Sequence, residues 1–161
     1  MKLIRTEIDL FVFSFEPREK QLLIKVLKNF PRVPAAHHRL SKTSRGAKPK
    51  EDQRLLDEAL AEQRNQNRQR VETFLQEPER FRPVGNEIHL TLAKTEIDWL
   101  LQVLNDVRVG AWLALGEPEN FRLSHFSAAK ALDVSVMEMS GHFQFQLLHA
   151  LGYREPTDMG K

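Results

Sequence analysis

The chain has 161 residues, 41% apolar and 29% charged, with a formal net charge of +2; that is one domain, able to fill a core and still solvate its surface. Cysteine is absent, which excludes a disulfide scaffold, thiolate metal sites and a thiol nucleophile. No apolar run approaches the roughly 18–20 residues of a membrane span, and Arg5, Glu7 and Asp9 interrupt the opening stretch where a secretory signal would be apolar, so the expected compartment is the cytoplasm.

In chain order, the first periodic segment is Phe11-Val12-Phe13-Ser14-Phe15, whose alternation marks a strand over about Leu10–Phe15. Apolar spacing then changes to three and four through Leu23, Val26 and Leu27, a helix face. Pro17 suits its first turn, and Pro31 and Pro34 end it. From Lys28 to Lys50 there is no acidic residue but seven basic ones: Lys28, Arg32, Arg39, Lys42, Arg45, Lys48 and Lys50. That leaves 17 basic against 22 acidic residues elsewhere, so a mildly acidic body carries one basic segment. Residues 35–49 combine Ser, Thr, Gly, Pro and cations without periodicity. Ordering them costs about 1–2 kcal/mol per residue in backbone entropy with little apolar area to offset it, which predicts a mobile loop.

A long helix follows over Glu51–Gln76, with apolar clusters at both ends and an exposed polar middle from Glu62 to Arg70. Pro78–Asn86 reads as a connection. Ile88-His89-Leu90-Thr91-Leu92 alternates like the first strand, and a helix over about Ala93–Leu115 ends at Gly116, a residue suited to a left-handed cap. Glu117–Ala131 reads as a short helix or linker anchored by Phe121, Leu123 and Phe126. Asp133 is placed as the cap of a last helix over Val134–Leu151, and residues 154–161 as a frayed tail.

Both strand–helix units align at an ungapped offset of 77. Glu19/Glu96, Leu23/Leu100, Val26/Val103 and Leu27/Leu104 are identical. The two strands should therefore pair, most simply antiparallel about a pseudo-twofold axis, with Ser14 and Thr91 as helix N-caps. The expected fold is a mainly α bundle of about four main helices with one two-stranded antiparallel ribbon, in a single domain over 1–161. Leu100, Leu104, Ala111, Phe143 and Leu147 are its predicted core.

No chemistry-bearing motif stands out. His142 and His149 are seven apart on one helix face, too far to chelate one metal by themselves, and no HExxH, nucleophile elbow, phosphate loop or dinucleotide fingerprint occurs. No catalytic, cofactor-binding or metal-binding residue is assigned, and no cofactor is expected. Arg108 falls among Leu100, Leu101, Leu104, Val107, Ala111 and Leu115 on the apolar helix. A core arginine needs an anion, with Asp106, Glu138 or a carboxylate of the long helix as candidates. Gly110 and Ala114 should let another helix approach closely.

The run Trp99–Val109, WLLQVLNDVRV, followed by Leu115-Gly116, resembles the bacterial domain-of-unknown-function family two thousand and seventeen. Trp99, Leu100, Leu104, Asn105, Asp106 and Arg108 carry the likeness, which extends from Glu87 to Gly116. The last helix matches only loosely, and the basic loop and long helix are not covered. The resemblance implies no activity or cofactor. Genes of that family often lie near the adaptor of the Clp protease, which implies a link to bacterial proteostasis.

These features lead to a non-enzymatic helical protein-interaction module with a protein partner, the candidate partner-binding residues being Arg32, Arg39, Lys42, Arg45, Lys48 and Lys50. The alternative is sequence-indifferent nucleic-acid binding through residues 28–54, against which stands the lack of aromatics for base stacking. No membrane partner is expected.

Overall fold

Two β-hairpins, each running into a helix, generate the architecture. The computed structural model describes residues 1–34, 49–119 and 127–152. Its elements are β1 (Lys2–Glu7), β2 (Leu10–Phe15), α1 (Pro17–Leu27), α2 (Pro49–Gln76), β3 (Phe81–Val84), β4 (Glu87–Ala93), α3 (Lys94–Ala114) and α4 (Ala131–Ala150), with a 3₁₀ turn at Ala128–Lys130 before α4. The expected basic loop over 35–49 lies outside the described residues except for Pro49, which opens α2. The anchors Phe121, Leu123 and Phe126 and the tail over 154–161 lie outside them too.

The four strands form one antiparallel sheet in the order β1-β2-β4-β3. The fold is mixed α/β, which corrects the expectation of a mainly α bundle with a two-stranded ribbon. The β2–β4 pair is the centre of this sheet, and Phe13 stands opposite Leu90. Those two residues are 77 apart, so each meets its own repeat counterpart and the pseudo-twofold axis passes between them. The missed strands are the two edges. β1 carries Lys2, Arg5 and Glu7, is exposed along most of its length and shifts register between Leu3 and Arg5; edge strands commonly carry charges and bulges that discourage further pairing. β3 contains Pro83, which argues against a central strand and is tolerated at an edge. Gly85, with φ +61°, supports the tight turn into β4.

One face of the sheet carries Phe11, Phe13, Phe15, Phe81, Leu90 and Leu92, all buried, and the core continues through Leu23, Val26 and Leu27 of α1 and along α3 and α4. All five predicted core residues are 2% exposed or less. The C-terminal end of α2 docks through Phe74, whose ring lies 5.9 Å from Phe81 and 5.6 Å from Trp99 in edge-on contacts. The polar middle of α2 is not wholly solvated. Arg64 donates to the Val33 carbonyl at 2.7 Å, Asn67 accepts the Trp99 indole N–H at 3.1 Å, and the Arg70 guanidinium lies 4.4 Å from the Trp99 ring centroid.

Ser14 and Thr91 do not cap helices; both remain within strands, and the N-caps are Glu16 and Ala93. The repeat uses its glutamates instead. Glu19 Oε2 accepts the Glu16 amide at 3.0 Å and Glu96 Oε2 accepts the Ala93 amide at 2.9 Å, the backbone-binding half of a capping box. The other oxygen of each takes a cation from the outer-strand side: the Met1 ammonium for Glu19, and Arg80 at 2.9 Å for Glu96. Burial alone would push the Glu19 carboxyl up, but the ammonium, the Glu16 amide and the charge of His142 outweigh it and hold it below its ordinary 4.5.

Candidate docking groove

α3 is buried on one side by the sheet and α1, and α4 lies along it on another. Its path is fixed by a strap, residues 29–34, that leaves α1 and crosses α3 at Gly110. A Cβ on Gly110 would sit 2.6 Å from the Arg32 carbonyl carbon, so this glycine admits a backbone. The close approach expected at Gly110 is thus made by the strap and not by a helix. One turn earlier, Asp106 Oδ1 accepts the amides of Arg32 at 2.6 Å and Val33 at 3.3 Å. The Arg32 guanidinium pairs with Asp133 on α4 and donates to Asn29 Oδ1 at 2.9 Å.

These contacts reassign two sequence-level roles. Asp133 lies inside the first turn of α4 and serves as a carboxylate partner; Lys130 is the N-cap. Arg32 is half-buried and committed to Asp133 and Asn29, so it is not a free cation for a partner. Arg39, Lys42, Arg45 and Lys48 lie outside the described residues, as does the side chain of Lys50.

Arg108 is exposed, which corrects its placement in the core. It lies eight residues after Leu100, two turns plus about 80° at 100° per residue, and therefore at the edge of the apolar stripe. Its guanidinium donates to the Gln144 side-chain oxygen at 3.3 Å, and among the described residues no carboxylate comes within ion-pair distance. Of its expected partners, Asp106 is engaged by the strap, and Glu138 is exposed without a described ion pair.

Arg108 and Glu138 rim an open cleft of about 920 Å³ between α3 and α4. Its apolar lining is Val109 and Trp112 from α3 and Met137, Phe145 and Leu148 from α4. The Trp112 indole N–H donates to the Pro118 carbonyl at 3.4 Å, which fixes the ring against the segment after α3. Phe145 is 48% exposed and Leu148 37%. Sequence reasoning missed this lining because it sought the buried stripe of α4. The available signal was an excess: Phe145 and Leu148 stand beside Phe143 and Leu147, and one packed face cannot hold all four.

The outer sheet face offers a second, smaller cleft of about 430 Å³. Lys2, Ser14, His89 and Arg82 lie in one cross-strand row. Ser14 is buried and donates to Glu87 Oε2 at 2.5 Å, while His89 Nε2 is 3.7 Å from that same oxygen. A carboxylate, not an imidazole, holds the hydroxyl, so the group is not arranged to activate a serine. Arg80 is engaged by Glu77 at 2.6 Å, Glu96 at 2.9 Å and the Thr91 carbonyl at 3.3 Å. No cluster suited to a metal ion occurs among the described residues, and none of their helices is long and apolar enough to cross a membrane. Comparison with family models, curated proteins and solved structures finds no match.

Proposed function

We propose that this chain is a non-enzymatic protein-interaction module and that its docking surface is the groove between α3 and α4. The observation that carries the reading is the uncovered apolar side of α4: Phe145 and Leu148 stand open to solvent beside Trp112, Val109 and Met137. Exposed apolar residues that adjoin one another, rimmed by charge, are a feature of protein-contact surfaces. Aromatic anchors and an arginine at the edge supply the residue types that dominate interface energetics. A nucleic-acid role for residues 28–54 is less favoured, because Arg32 is already paired within the fold.

Affinity capture with the full chain, compared with its Phe145→Glu/Leu148→Glu form, tests the reading. Both positions are partly exposed, so the variant should fold, as circular dichroism would verify. A set of proteins, including further copies of the chain, that is retained by the parent and lost by the variant is the expected result. Equal retention by both would refute the groove as the docking surface.

A further inference from the structure

The groove also carries information about its occupant, and the following rests on its being a docking surface. We infer that it is filled by the same groove of a second copy of this chain, in a twofold pairing that crosses the two α4 helices near Gly141.

Charge complementarity supports self-pairing. Among the described residues the rim holds one cation, Arg108, and one anion, Glu138, and neither has an ion-pair partner there. A twofold contact is isologous: if residue i meets residue j of the other copy, j also meets i. Arg108 of each copy can therefore face Glu138 of the other, closing two ion pairs around the apolar centre. Each side then presents the surface it needs to receive.

Gly141 is the second observation. Glycine is a much poorer helix former than alanine, so its presence in mid-α4 calls for a reason. Gly110 has one within the chain, since an added Cβ would strike the strap at 2.6 Å. Gly141 has none among the described residues: its Cβ would meet only the Arg108 side chain, at 3.8 and 4.0 Å, which is ordinary contact. A missing Cβ on the groove floor lets a second helix backbone approach closely. That is the need created by two α4 helices crossing there.

The test is a charge exchange read by sedimentation equilibrium of the full chain over a wide concentration range. Arg108→Glu alone faces Glu138 with a carboxylate, and Glu138→Arg alone faces Arg108 with a guanidinium. Like charges brought together disfavour association, so each variant alone should self-associate at least about tenfold more weakly than the parent. An equimolar mixture of the two restores opposite charges at both ends and should form a heterodimer at close to parental affinity. The double variant Arg108→Glu/Glu138→Arg should recover as well. Gly141→Leu should abolish pairing while circular dichroism and thermal unfolding show a folded chain.

A parent that stays monomeric at all concentrations overturns the self-pairing, as does a mixture that recovers nothing. Capture of other proteins that still depends on Phe145 and Leu148 would then leave the docking surface standing and remove only the second copy as its occupant. Monomeric behaviour together with loss of all groove-dependent capture would remove both.

Discussion

Gly110→Ala and Gly141→Ala make the same chemical change in two helix interiors, and the structure assigns them opposite signs. In each helix the new methyl contributes up to about 1 kcal/mol through propensity. At Gly141 it meets only Arg108 side-chain atoms, at 3.8 and 4.0 Å, among the described residues, so the substitution should stabilise the monomer by about 0.5–1 kcal/mol. At Gly110 it would lie 2.6 Å from the Arg32 carbonyl carbon and 2.7 Å from its Cβ. The strap has little freedom to retreat, because Asp106 holds the Arg32 and Val33 amides and Arg64 holds the Val33 carbonyl. Overpacking costs about 1–3 kcal/mol, and losing a hydrogen bond to a charged group about 1.5–3 kcal/mol. After the propensity gain, Gly110→Ala should destabilise by up to about 2 kcal/mol if the strap keeps its hydrogen bonds, and by about 1.5–5 kcal/mol if one is lost. Urea titrations of both variants at low protein concentration, where self-association contributes least, measure the difference. Faster amide exchange at Arg32 and Val33 in Gly110→Ala would locate the damage at the strap. If Gly110→Ala stabilised the chain as much as Gly141→Ala, the clamped strap would be wrong.

Leu104→Ala should lose about 2–5 kcal/mol in the same titration, the usual range for a buried leucine, since Leu104 is fully buried; a loss under about 1 kcal/mol would remove α3 from the centre of the core. Glu96→Ala takes away the Ala93 amide acceptor and an Arg80 partner and should cost about 1–2 kcal/mol. Glu72→Ala, in an exposed pair with Arg68 at 3.8 Å, should cost under about 0.5 kcal/mol, and equal losses would deny the repeated glutamates their capping role. The Glu19 carboxyl is held below its ordinary 4.5 in the folded chain, so its contribution is present above that pH and is lost as pH falls through the lower folded value. The stability gap between the parent and Glu19→Gln should therefore shrink as pH falls from 5 toward 3; a constant or widening gap contradicts the assignment. Arg108→Met should leave monomer stability within about 0.5 kcal/mol of the parent, whereas a buried structural arginine would cost several times more.

Much of the fold was legible where local pattern and tertiary role agreed. The period-two runs Phe11–Phe15 and Ile88–Leu92 are the sheet centre because they place three large apolar residues on one face. The offset of 77 predicted an antiparallel pair about a pseudo-twofold axis, which the strand register places between Phe13 and Leu90, and the identity of Glu19 with Glu96 reflects a shared cap and cation site. The edges were illegible for a related reason: β1 and β3 have little apolar surface to bury, and their charges and proline are the features that local rules assign to loops. Arg108 was misplaced because it borders the apolar stripe, where a shift of about 80° around the axis separates core from rim. The strap was hidden because its contacts join Arg32 to Asp106 and Asp133 across 74 and 101 residues. The cleft between α3 and α4 was legible only as a surplus of apolar residues on α4.

The proposed function requires this side of α4 to be covered by another protein chain when the protein works. A photo-crosslinking side chain substituted for Phe145, with the same group at Leu55 on α2 as a control, tests it most directly; Leu55 is also an exposed apolar residue, 55% accessible, but lies away from the groove. Intermolecular adducts are expected at position 145, formed with a second copy at α4 or with another protein, and few at position 55. Position 145 yielding no intermolecular adduct, or no more than position 55, would contradict it.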